Sequence, residues 1–588
     1  MSDSEFQDHS SRDQEVGDAE KSAVEVNGTQ NGLLEDTKEG AVVEGEGREN
    51  SAPAANPAPP TAAPSITYPG PLLATILNFG LLLALFLVAL DMSIIATAIP
   101  TITSEFKSVD QIGWYGSAFF LCLAAFQAFW GKAYRFFPLK IVFLSCVGIF
   151  ELGSLIAALS PNSTALIIGR AVQGVGGAGV TGGCYTILAF ITRPQRLPAI
   201  LGLSSSVWSV SSVLGPIFGG LFTQYVSWRW CFWVNLPIGG TTILILLVFF
   251  KTPPHSRVAH AKLAEVPFLF DIPGVALLIA AMTCLLLALE DGGVKLPWNN
   301  STPIGLLVGF GLITIVLVLV EWRQDEKAMV VPRIMRRRTI LTLALFNLTA
   351  QGSGFARTYN LPLYFQAAQG VSPSESGIRT LPTVLTTSII SFLSSIALGK
   401  VGYYQPFLLI GALILTVGSG MIYTLEPDSS AGKYIGYQVL AAIGSGMVIQ
   451  VNVIVAQAIS TRADMAVTVA IVLFWQFVGG TIGVSAAQNI MNNFIVNSLP
   501  TDNPRISPAA VLAAGANGLR DAFPSPSDLA IVVNAYMRGL KAAWIWSIAL
   551  SGIAFIVAFG AEWKSVKMED VKKRAAAKAA AKEGAAAA

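Results

Sequence analysis

One residue of the chain combines a fixed charge with a strongly apolar setting. Arg170 lies in the glycine-rich run from Leu166 to Gly183, which is apolar enough to cross a bilayer. A charged side chain at the centre of a membrane costs at least about 2.5–3.5 kcal/mol. Because arginine does not lose its proton in proteins, Arg170 needs carboxylates, carbonyl groups or an anion as partners. We predict that Arg170 takes part in proton coupling; the alternative is a static ion pair that only fixes packing.

Three further polar residues are predicted to act with this arginine. Asp91 and Glu151 are candidate proton carriers, because a buried carboxyl group is held charged by a nearby cation or kept neutral by burial. Gln173 follows Arg170 by three residues and shares roughly its helix face. As alternatives, Asp91 caps a helix at the outer boundary, and Glu151 is either the counter-ion of Arg170 or the acceptor of a structural hydrogen bond.

A separate set of residues, four glycines and a proline, is predicted to control conformation. Small residues four positions apart let helices approach closely, and a proline removes one backbone hydrogen bond. We expect a kinked contact between two halves of the molecule that sets which side opens; the alternative is tight helix packing alone. The residues of this conformational motif are Gly202, Gly215, Pro216, Gly219 and Gly220.

Asn235 and Arg357 are candidates for a substrate cavity, because both are polar and lie in apolar runs. Asn235 could instead repair the backbone of a bent helix, and Arg357 could instead extend to the membrane surface.

Several kinds of chemistry are disfavoured. The chain has no GxxxxGK[ST] phosphate-binding loop and no Cys/His set with metal-ligand spacing. We therefore expect no cofactor, no metal, no nucleic-acid partner and no enzymatic activity, and an ion gradient as the driving force. The three histidines, His9, His255 and His260, fall in predicted cytosolic segments, so a proton relay in the membrane must use carboxylates.

The elements that must position these residues are membrane helices. Of the 588 residues 53% are hydrophobic and 13% are charged, whereas soluble chains carry about 25% charged residues. We predict an all-α polytopic membrane protein with about fourteen spans and a lipid bilayer as its surroundings. The predicted spans are 73–99, 112–130, 140–159, 164–189, 198–222, 230–250, 272–290, 303–321, 339–366, 377–398, 404–424, 434–457, 467–490 and 542–561.

The chain is predicted to divide into five parts. Residues 1–50 hold fourteen acidic and four basic residues, which is typical of disorder. Lysine and arginine concentrate in alternate short loops, so both termini are predicted to be cytosolic. The parts are a disordered acidic tail 1–70, a six-helix bundle 71–251, two inserted spans with their loops 252–338, a second six-helix bundle 339–562 with a long outer loop 491–541, and a basic cytosolic tail 563–588. Asn299 and Asn300 are candidate glycosylation sites in an outer loop.

An internal repeat supports two duplicated halves. GKAYRFFP, from Gly131 to Pro138, resembles GKVGYYQP, from Gly399 to Pro406, at an offset of about 268 residues. At the same offset Gly176 corresponds to Gly444. Duplicated bundles with a site between them are the recurring plan of secondary transporters.

These motifs together resemble the major facilitator superfamily, in its fourteen-span drug:proton antiporter branch, and fungal pumps for toxins and drugs in particular. The resemblance covers roughly residues 70–565 and rests on Leu90-Asp91 with Ile99-Pro100, Arg170-Ala-Val-Gln173-Gly174, Gly202 with Gly215-Pro216 and Gly219-Gly220, Trp228-Arg-Trp with Asn235-Leu-Pro237, and Leu361 to Pro382. It implies a monomer that exchanges protons for amphipathic small molecules by alternating access, in the plasma membrane or, alternatively, the vacuolar membrane.

Three positions, in two motifs, depart from the family's pattern. Ser211 stands where the antiporter pattern usually has glycine. Arg135 and Pro138 stand where the loop between spans 2 and 3 usually carries Asp and Gly, which puts the usual charge pairing of that loop with span 11 in question. Two other functions remain open at this point: a proton-coupled importer of siderophores or basic amino acids, and a nutrient receptor that does not transport.

Overall fold

The computed structural model describes residues 68–106, 111–252 and 270–567. These ranges form helices and contain no β-strand. The described helices all belong to one compact unit, Ile66–Ala588. The predicted acidic tail up to residue 67, the histidines and the basic tail beyond residue 567 lie outside the described residues.

The first half of the molecule is built from α1 to α8. Three of its long helices begin where a side chain or a proline deals with the free N–H groups of the first turn. The Asn162 side chain accepts a 2.9 Å hydrogen bond from the Ala165 N–H, and Pro198 lies in the first turn of α6. The helices are α1 (Pro71–Ile94), α2 (Ile99–Phe106), α3 (Ile112–Phe136), α4 (Leu139–Ala158), α5 (Ser163–Ile191), α6 (Leu197–Tyr225), α7 (Trp230–Trp233) and α8 (Asn235–Phe249).

A helical hairpin and a second half follow. The hairpin is α9 (Ile272–Asp291) and α10 (Ser301–Gln324). The 3₁₀ turn Asp325–Lys327 and the short α11 (Pro332–Met335) connect it to the second half. That half consists of α12 (Arg338–Ala367), α13 (Pro373–Val401), α14 (Gln405–Tyr423), α15 (Ala431–Val448), α16 (Val451–Ile459), α17 (Met465–Asp502), α18 (Pro508–Ala522) and α19 (Pro526–Ala558).

The two halves meet along two helix pairs, α6 with α13 and α3 with α17. The hairpin packs against α3 and α17 through α9, whereas α10 packs mainly on α9. Burial agrees with this arrangement. In the most apolar stretch of α5, 89% of the residues are buried, whereas in that of α10 only 11% are buried. The core therefore lies around α5, and α10 presents an apolar surface of the kind that faces lipid.

The internal repeat reappears in the helix boundaries. α5 begins at Ser163 and ends at Ile191, and the pair α15–α16 begins at Ala431 and ends at Ile459, each 268 residues later. Gly176 packs on the backbone of α4, and Gly444 packs on the backbone of α14. Equivalent glycines thus allow the equivalent close helix contact in both halves.

Twelve described helices are long and apolar enough to span a membrane, so the predicted number of fourteen is not confirmed. The two predicted spans without such an apolar window coincide with α3 and α12, which have 25 and 30 residues. α3 carries Lys132 and Arg135, and α12 carries Arg338 and Arg357. Both helices pack inside the bundle, and their polar residues lower their mean hydropathy.

The segment 491–541, predicted as a long loop, is largely helical. It holds the last part of α17, all of α18 and the first part of α19. The Asn489 and Asn493 side chains on α17 donate hydrogen bonds of 2.8 and 3.0 Å to the Gly292 carbonyl at the end of α9. A hydropathy window detects only the apolar part of a helix, so polar extensions of α17 and α19 went undetected.

Candidate functional site

Five polar side chains from four helices meet at the centre of the first half. All five are fully buried, and four of them were predicted from the sequence. We call this group the polar cluster; it consists of Asp91 on α1, Ser154 on α4, Arg170 and Gln173 on α5, and Asn235 on α8.

The Asp91 carboxylate is the acceptor at the middle of the polar cluster. Its Oδ2 pairs with Arg170 Nη1. Its Oδ1 accepts hydrogen bonds from Gln173 Nε2 at 2.9 Å and from Asn235 Nδ2 at 3.0 Å. The two amides also donate to Ser154 Oγ, at 2.7 and 3.1 Å. Asp91 therefore links helices rather than capping the end of α1.

Arg170 is matched partly by charge and partly by other groups. Its Nε donates to the Tyr115 carbonyl at 3.0 Å, and its Nη1 also donates to Gln173 Oε1 at 3.0 Å. The guanidinium carbon lies 4.4 Å from the centre of the Phe119 ring, a cation–π distance. Nη2 has no hydrogen-bond partner among the described residues. The counter-ion of Arg170 is thus Asp91, so the prediction of Glu151 in that position is wrong.

The Glu151 carboxyl group lies beside the polar cluster but outside it. Both of its oxygens are buried, and in the described part of the chain neither has a hydrogen-bond partner. A β-carbon at Gly239 of α8 would overlap Glu151 Oε1, so the Glu151 side chain packs directly on this glycine. The alternative interpretation of Glu151 as a structural hydrogen-bond acceptor is therefore also wrong.

The conformational motif on α6 contacts both halves, but at different positions. A β-carbon at Gly202 would lie 2.8 Å from the Phe392 backbone on α13 of the second half. A β-carbon at Gly215 or Gly219 would overlap α1 at Ser93 or Ile94, within the first half. The expected contact between halves is thus correct for Gly202 and wrong for Gly215 and Gly219.

This packing occurs where α1 ends. α1 stops at Ile94, three residues after Asp91, and a 3₁₀ turn follows. Ser93 Oγ donates to the Ser211 carbonyl at 3.1 Å. Pro216 lies inside α6 and has no N–H to donate to the backbone one turn earlier. The weakened part of α6 therefore faces the end of the helix that carries Asp91. At Gly220 a β-carbon would have no heavy atom within 4 Å.

A second group of polar side chains connects α2 to the residues that directly precede α7. Trp228 Nε1 donates to Glu105 Oε2 at 2.6 Å, and Arg229 pairs with Glu105 Oε1 at 2.9 Å. The hydrogen bond from Trp228 and the charge of Arg229 hold the pKa of Glu105 below its ordinary value. We call this end of the molecule the Glu105 end.

At the opposite end, which we call the Asp464 end, ion pairs join three parts of the chain. Asp464, just before α17, pairs with Arg333 at 3.0 Å and with Arg337 at 3.7 Å. Arg135 at the end of α3 lies 3.8 Å from Asp464 and 3.5 Å from Glu326, and Glu326 also pairs with Arg333. The end of α3 is thus charge-paired, through Arg135, with the residue that precedes α17 in the second half.

Arg357 lies in the middle of α12 and is 4% exposed, so it does not extend to the membrane surface. Its Nη2 donates to Ser445 Oγ at 2.7 Å, and its Nη1 lies 3.5 Å from Ser419 Oγ. None of the carboxylates that the structure describes forms an ion pair with it. It is therefore remote from the polar cluster in its contacts.

The two candidate glycosylation sites, Asn299 and Asn300, differ in their surroundings. The Asn300 side chain caps α10 by accepting a hydrogen bond from the Thr302 N–H at 2.9 Å. Asn299 is exposed.

Sequence reasoning missed Ser154 and Gly239. Ser154 follows Glu151 by three residues, so it shares a helix face with a residue already singled out, and that spacing was the available signal. Gly239 gave no signal of its own, because its role depends on which side chain of α4 approaches it.

Comparison with known proteins agrees with this architecture. Residues 81–484 match the family model of the Major Facilitator Superfamily. An MFS-type transporter of Pestalotiopsis microspora is 43% identical over 85% of this chain and 92% of its own length. An MFS-type efflux pump of Trichophyton rubrum is 41% identical over 84% and 92%, and the dehydrocurvularin exporter of Alternaria cinerariae is 40% identical over 82% of each chain.

Solved structures share the fold at low sequence identity. The crystal structure of the human organic anion transporter MFSD10 aligns with a TM-score of 0.56 at 13% identity, over 83% of this chain and 100% of that one. A bacterial homologue of the lysosomal transporter Spinster, in an inward-facing conformation, aligns with a TM-score of 0.53 at 16% identity, over 84% and 98%. From its family match and its relatives, this chain belongs to the major facilitator superfamily of membrane transporters.

Proposed function

We propose that this transporter is a proton-coupled efflux pump that exports amphipathic small molecules, such as drugs or a fungal secondary metabolite, by alternating access. The observation that carries the proposal is the fully buried polar cluster, in which one carboxylate, Asp91, holds one arginine and two amides. The names of the relatives, an efflux pump and an exporter of dehydrocurvularin, support the direction of transport and the substrate class.

Protonation of Asp91 would break the balance of the polar cluster. A neutral carboxyl group no longer compensates the charge of Arg170. Its O–H group is a hydrogen-bond donor, like the amide N–H groups of Gln173 and Asn235 that face it. Because these partners lie on α5 and α8, their release changes how α1 packs against both helices. Loss of the proton restores the ion pair, so the protonation state and the packing of α1 depend on each other.

Glu151 is the second candidate proton carrier. Burying a charged carboxylate without a partner is costly, whereas a neutral acid is much cheaper to bury. Its oxygens rest on Gly239 of α8, the helix that also supplies Asn235 to the polar cluster. Glu151 therefore contacts α8, the helix whose Asn235 donates a hydrogen bond to Asp91.

The contacts of α6 offer a route from the polar cluster to the second half. Gly215 and Gly219 touch α1 next to Asp91, and Gly202 on the same helix touches α13. A movement at the end of α1 would therefore affect α6, which also forms the contact between the two halves. Pro216 removes one backbone hydrogen bond between these two contact regions.

The ion pairs at the Asp464 end are proposed to hold the cytosolic side closed. This end carries Lys132, Arg135, Arg333 and Arg337, and an excess of lysine and arginine is typical of cytosolic loops. With this orientation both termini are cytosolic, and the Glu105 end and the extension of α17 lie outside.

We propose fourteen spans in the plasma membrane and a monomer as the working unit. α3 and α12 are long enough to cross, at about 1.5 Å per residue for 25 and 30 residues. Their polar residues are tolerated because both helices pack inside the bundle.

Dye efflux from yeast that lacks its own drug pumps tests the proposal. Cells that express the wild-type chain should retain less rhodamine 6G than cells that express Asp91→Asn at equal surface abundance. Greater retention in wild-type cells would instead indicate import. If wild-type and Asp91→Asn cells retain equal amounts of rhodamine 6G, of a siderophore and of a basic amino acid, the result would contradict transport.

A further inference from the structure

The second half contains a buried positive charge without a matching negative one. Arg357 is 4% exposed, and it donates hydrogen bonds to two serine hydroxyls, Ser445 on α15 and Ser419 on α14. The polar cluster of the first half differs, because Arg170 is neutralised there by Asp91. The two halves therefore handle a buried arginine in opposite ways.

Serine hydroxyls orient a guanidinium but do not neutralise it. Arginine keeps its charge in proteins, and burying an ion is costly unless it is both hydrogen-bonded and paired with an opposite charge. In the described ranges 68–106, 111–252 and 270–567 no carboxylate lies within ion-pair distance of Arg357. The chemistry that fits this site is a carboxylate or another planar anion, which arginine binds through two parallel hydrogen bonds.

The surroundings of Arg357 on α12 are open enough for a ligand to approach. A β-carbon at Gly354, one helical turn before Thr358, would have no heavy atom within 4 Å. Thr358 is exposed, and Tyr359 is 37% exposed. Ser445, which holds the guanidinium, is itself only half-buried.

We propose that Arg357, with Ser445 and Ser419, is the binding site for an acidic group of the exported molecule. The substrates would then include amphipathic organic acids or phenolates, whose anionic group supplies the missing counter-charge. This inference rests on the proposed efflux function and names the class of substrate for it. It assigns the two charged sites different tasks: Arg170 responds to the proton, and Arg357 binds the cargo.

The test compares two ligands that differ only in their charged group. We would measure equilibrium binding of 7-diethylaminocoumarin-3-carboxylate and of its neutral carboxamide to the purified full-length protein by fluorescence. The wild type should bind the carboxylate at least about tenfold more tightly than the carboxamide, as expected of a charge-assisted hydrogen-bonded pair. Arg357→Gln should abolish this preference, and Arg357→Lys should retain part of it.

Two further variants guard against misfolding and general effects of charge. Arg379→Gln removes an arginine that pairs with Glu375 at 2.5 Å, and it should leave the preference unchanged. If Arg357→Gln does not give a folded protein, Ser445→Ala replaces it, because it keeps the charge and removes the 2.7 Å hydrogen bond. Ser445→Ala should weaken binding of the carboxylate several-fold and leave binding of the carboxamide unchanged.

Equal affinity for both coumarins in the wild type, or a preference that survives in Arg357→Gln, would overturn the proposal. The efflux function is judged separately, with rhodamine 6G, a cation that does not need this site. Gradient-driven rhodamine 6G transport by the wild type, together with loss of the carboxylate preference in Arg357→Gln, would support both proposals. Absence of rhodamine 6G transport in the wild type would count against the pump but not against the anion site.

Discussion

The Asp91→Asn substitution probes the polar cluster most severely, because it removes the charge but almost none of the volume. Asparagine can still accept a hydrogen bond at one position, yet it leaves Arg170 without a counter-ion in a fully buried place. Removal of one partner of a buried ion pair costs about 3–5 kcal/mol. For a chain of this size the entropy of unfolding is about 1 kcal/mol per degree, so the midpoint of thermal unfolding should fall by about 3–5 °C.

The cysteines of the chain provide the assay for this prediction. Cys146, Cys184 and Cys231 are free and buried, so a thiol-reactive fluorogenic dye reports when the helices separate. A control is Glu105→Gln, which removes the ion pair with Arg229. Because those side chains are 44% and 31% exposed, that pair is worth at most about 1 kcal/mol, and its removal should shift the midpoint by about 1 °C or less.

A double substitution separates stability from function. Asp91→Asn combined with Arg170→Met removes both buried charges, so it should recover most of the lost stability but none of the gradient-driven transport. If Asp91→Asn alone leaves both the unfolding midpoint and the transport unchanged, then Asp91 neither stabilises the cluster nor carries the proton, and the reasoning fails.

Three further predictions concern other parts of the molecule. Gly219→Ala should reduce stability and transport, because its methyl group would overlap the Ile94 carbonyl, whereas Gly220→Ala should change neither; a harmless Gly219→Ala would show that the α1–α6 contact has room. Arg357→Met should leave the unfolding midpoint unchanged or raise it, since an uncompensated buried charge is replaced by an apolar side chain; a clear fall would mean that Arg357 is a structural residue. Asp464→Asn should increase the labelling of a cysteine placed by Ala470→Cys, because Ala470 packs against Gly131 of α3 at the closed Asp464 end; an unchanged rate would mean that the ion pairs do not hold that end. The hydrogen bond from Arg333 lowers the pKa of Asp464 below its ordinary value of 3.8, so its stabilising effect is lost only as the pH falls below that value. The ratio of labelling between variant and wild type should therefore stay constant from about pH 5.5 to 8.

The helices were largely predictable because their apolar runs are long. The predicted span 164–189 corresponds to α5 at Ser163–Ile191, and the predicted span 303–321 corresponds to α10 at Ser301–Gln324. The errors occur where a helix continues into polar sequence. α19 begins at Pro526 rather than near residue 542, since its first turns are amphipathic and carry little hydropathy.

The candidate site was predictable in its residue types but not in its pairing. A buried arginine demands an acid, but the sequence offered both Asp91 and Glu151 within the membrane. Only the packing of α1 against α5 and of α8 against α4 decides between them, because it brings Asp91 against Arg170 and leaves Glu151 on Gly239. Likewise, the glycines on α6 predicted close contacts, but nothing in their spacing distinguishes the partner of Gly202 from that of Gly219.

The central claim is that protons drive the export of small molecules through this transporter. It is tested most directly with the purified full-length protein in sealed liposomes, by following rhodamine 6G and the internal pH together after a pH gradient is imposed. We predict that dye movement requires the gradient, is accompanied by proton movement in the opposite direction, and is lost in Arg170→Ala and in at least one of Asp91→Asn and Glu151→Gln. Dye movement that continues after an ionophore collapses the gradient, or that is unchanged in all three variants, would contradict the account.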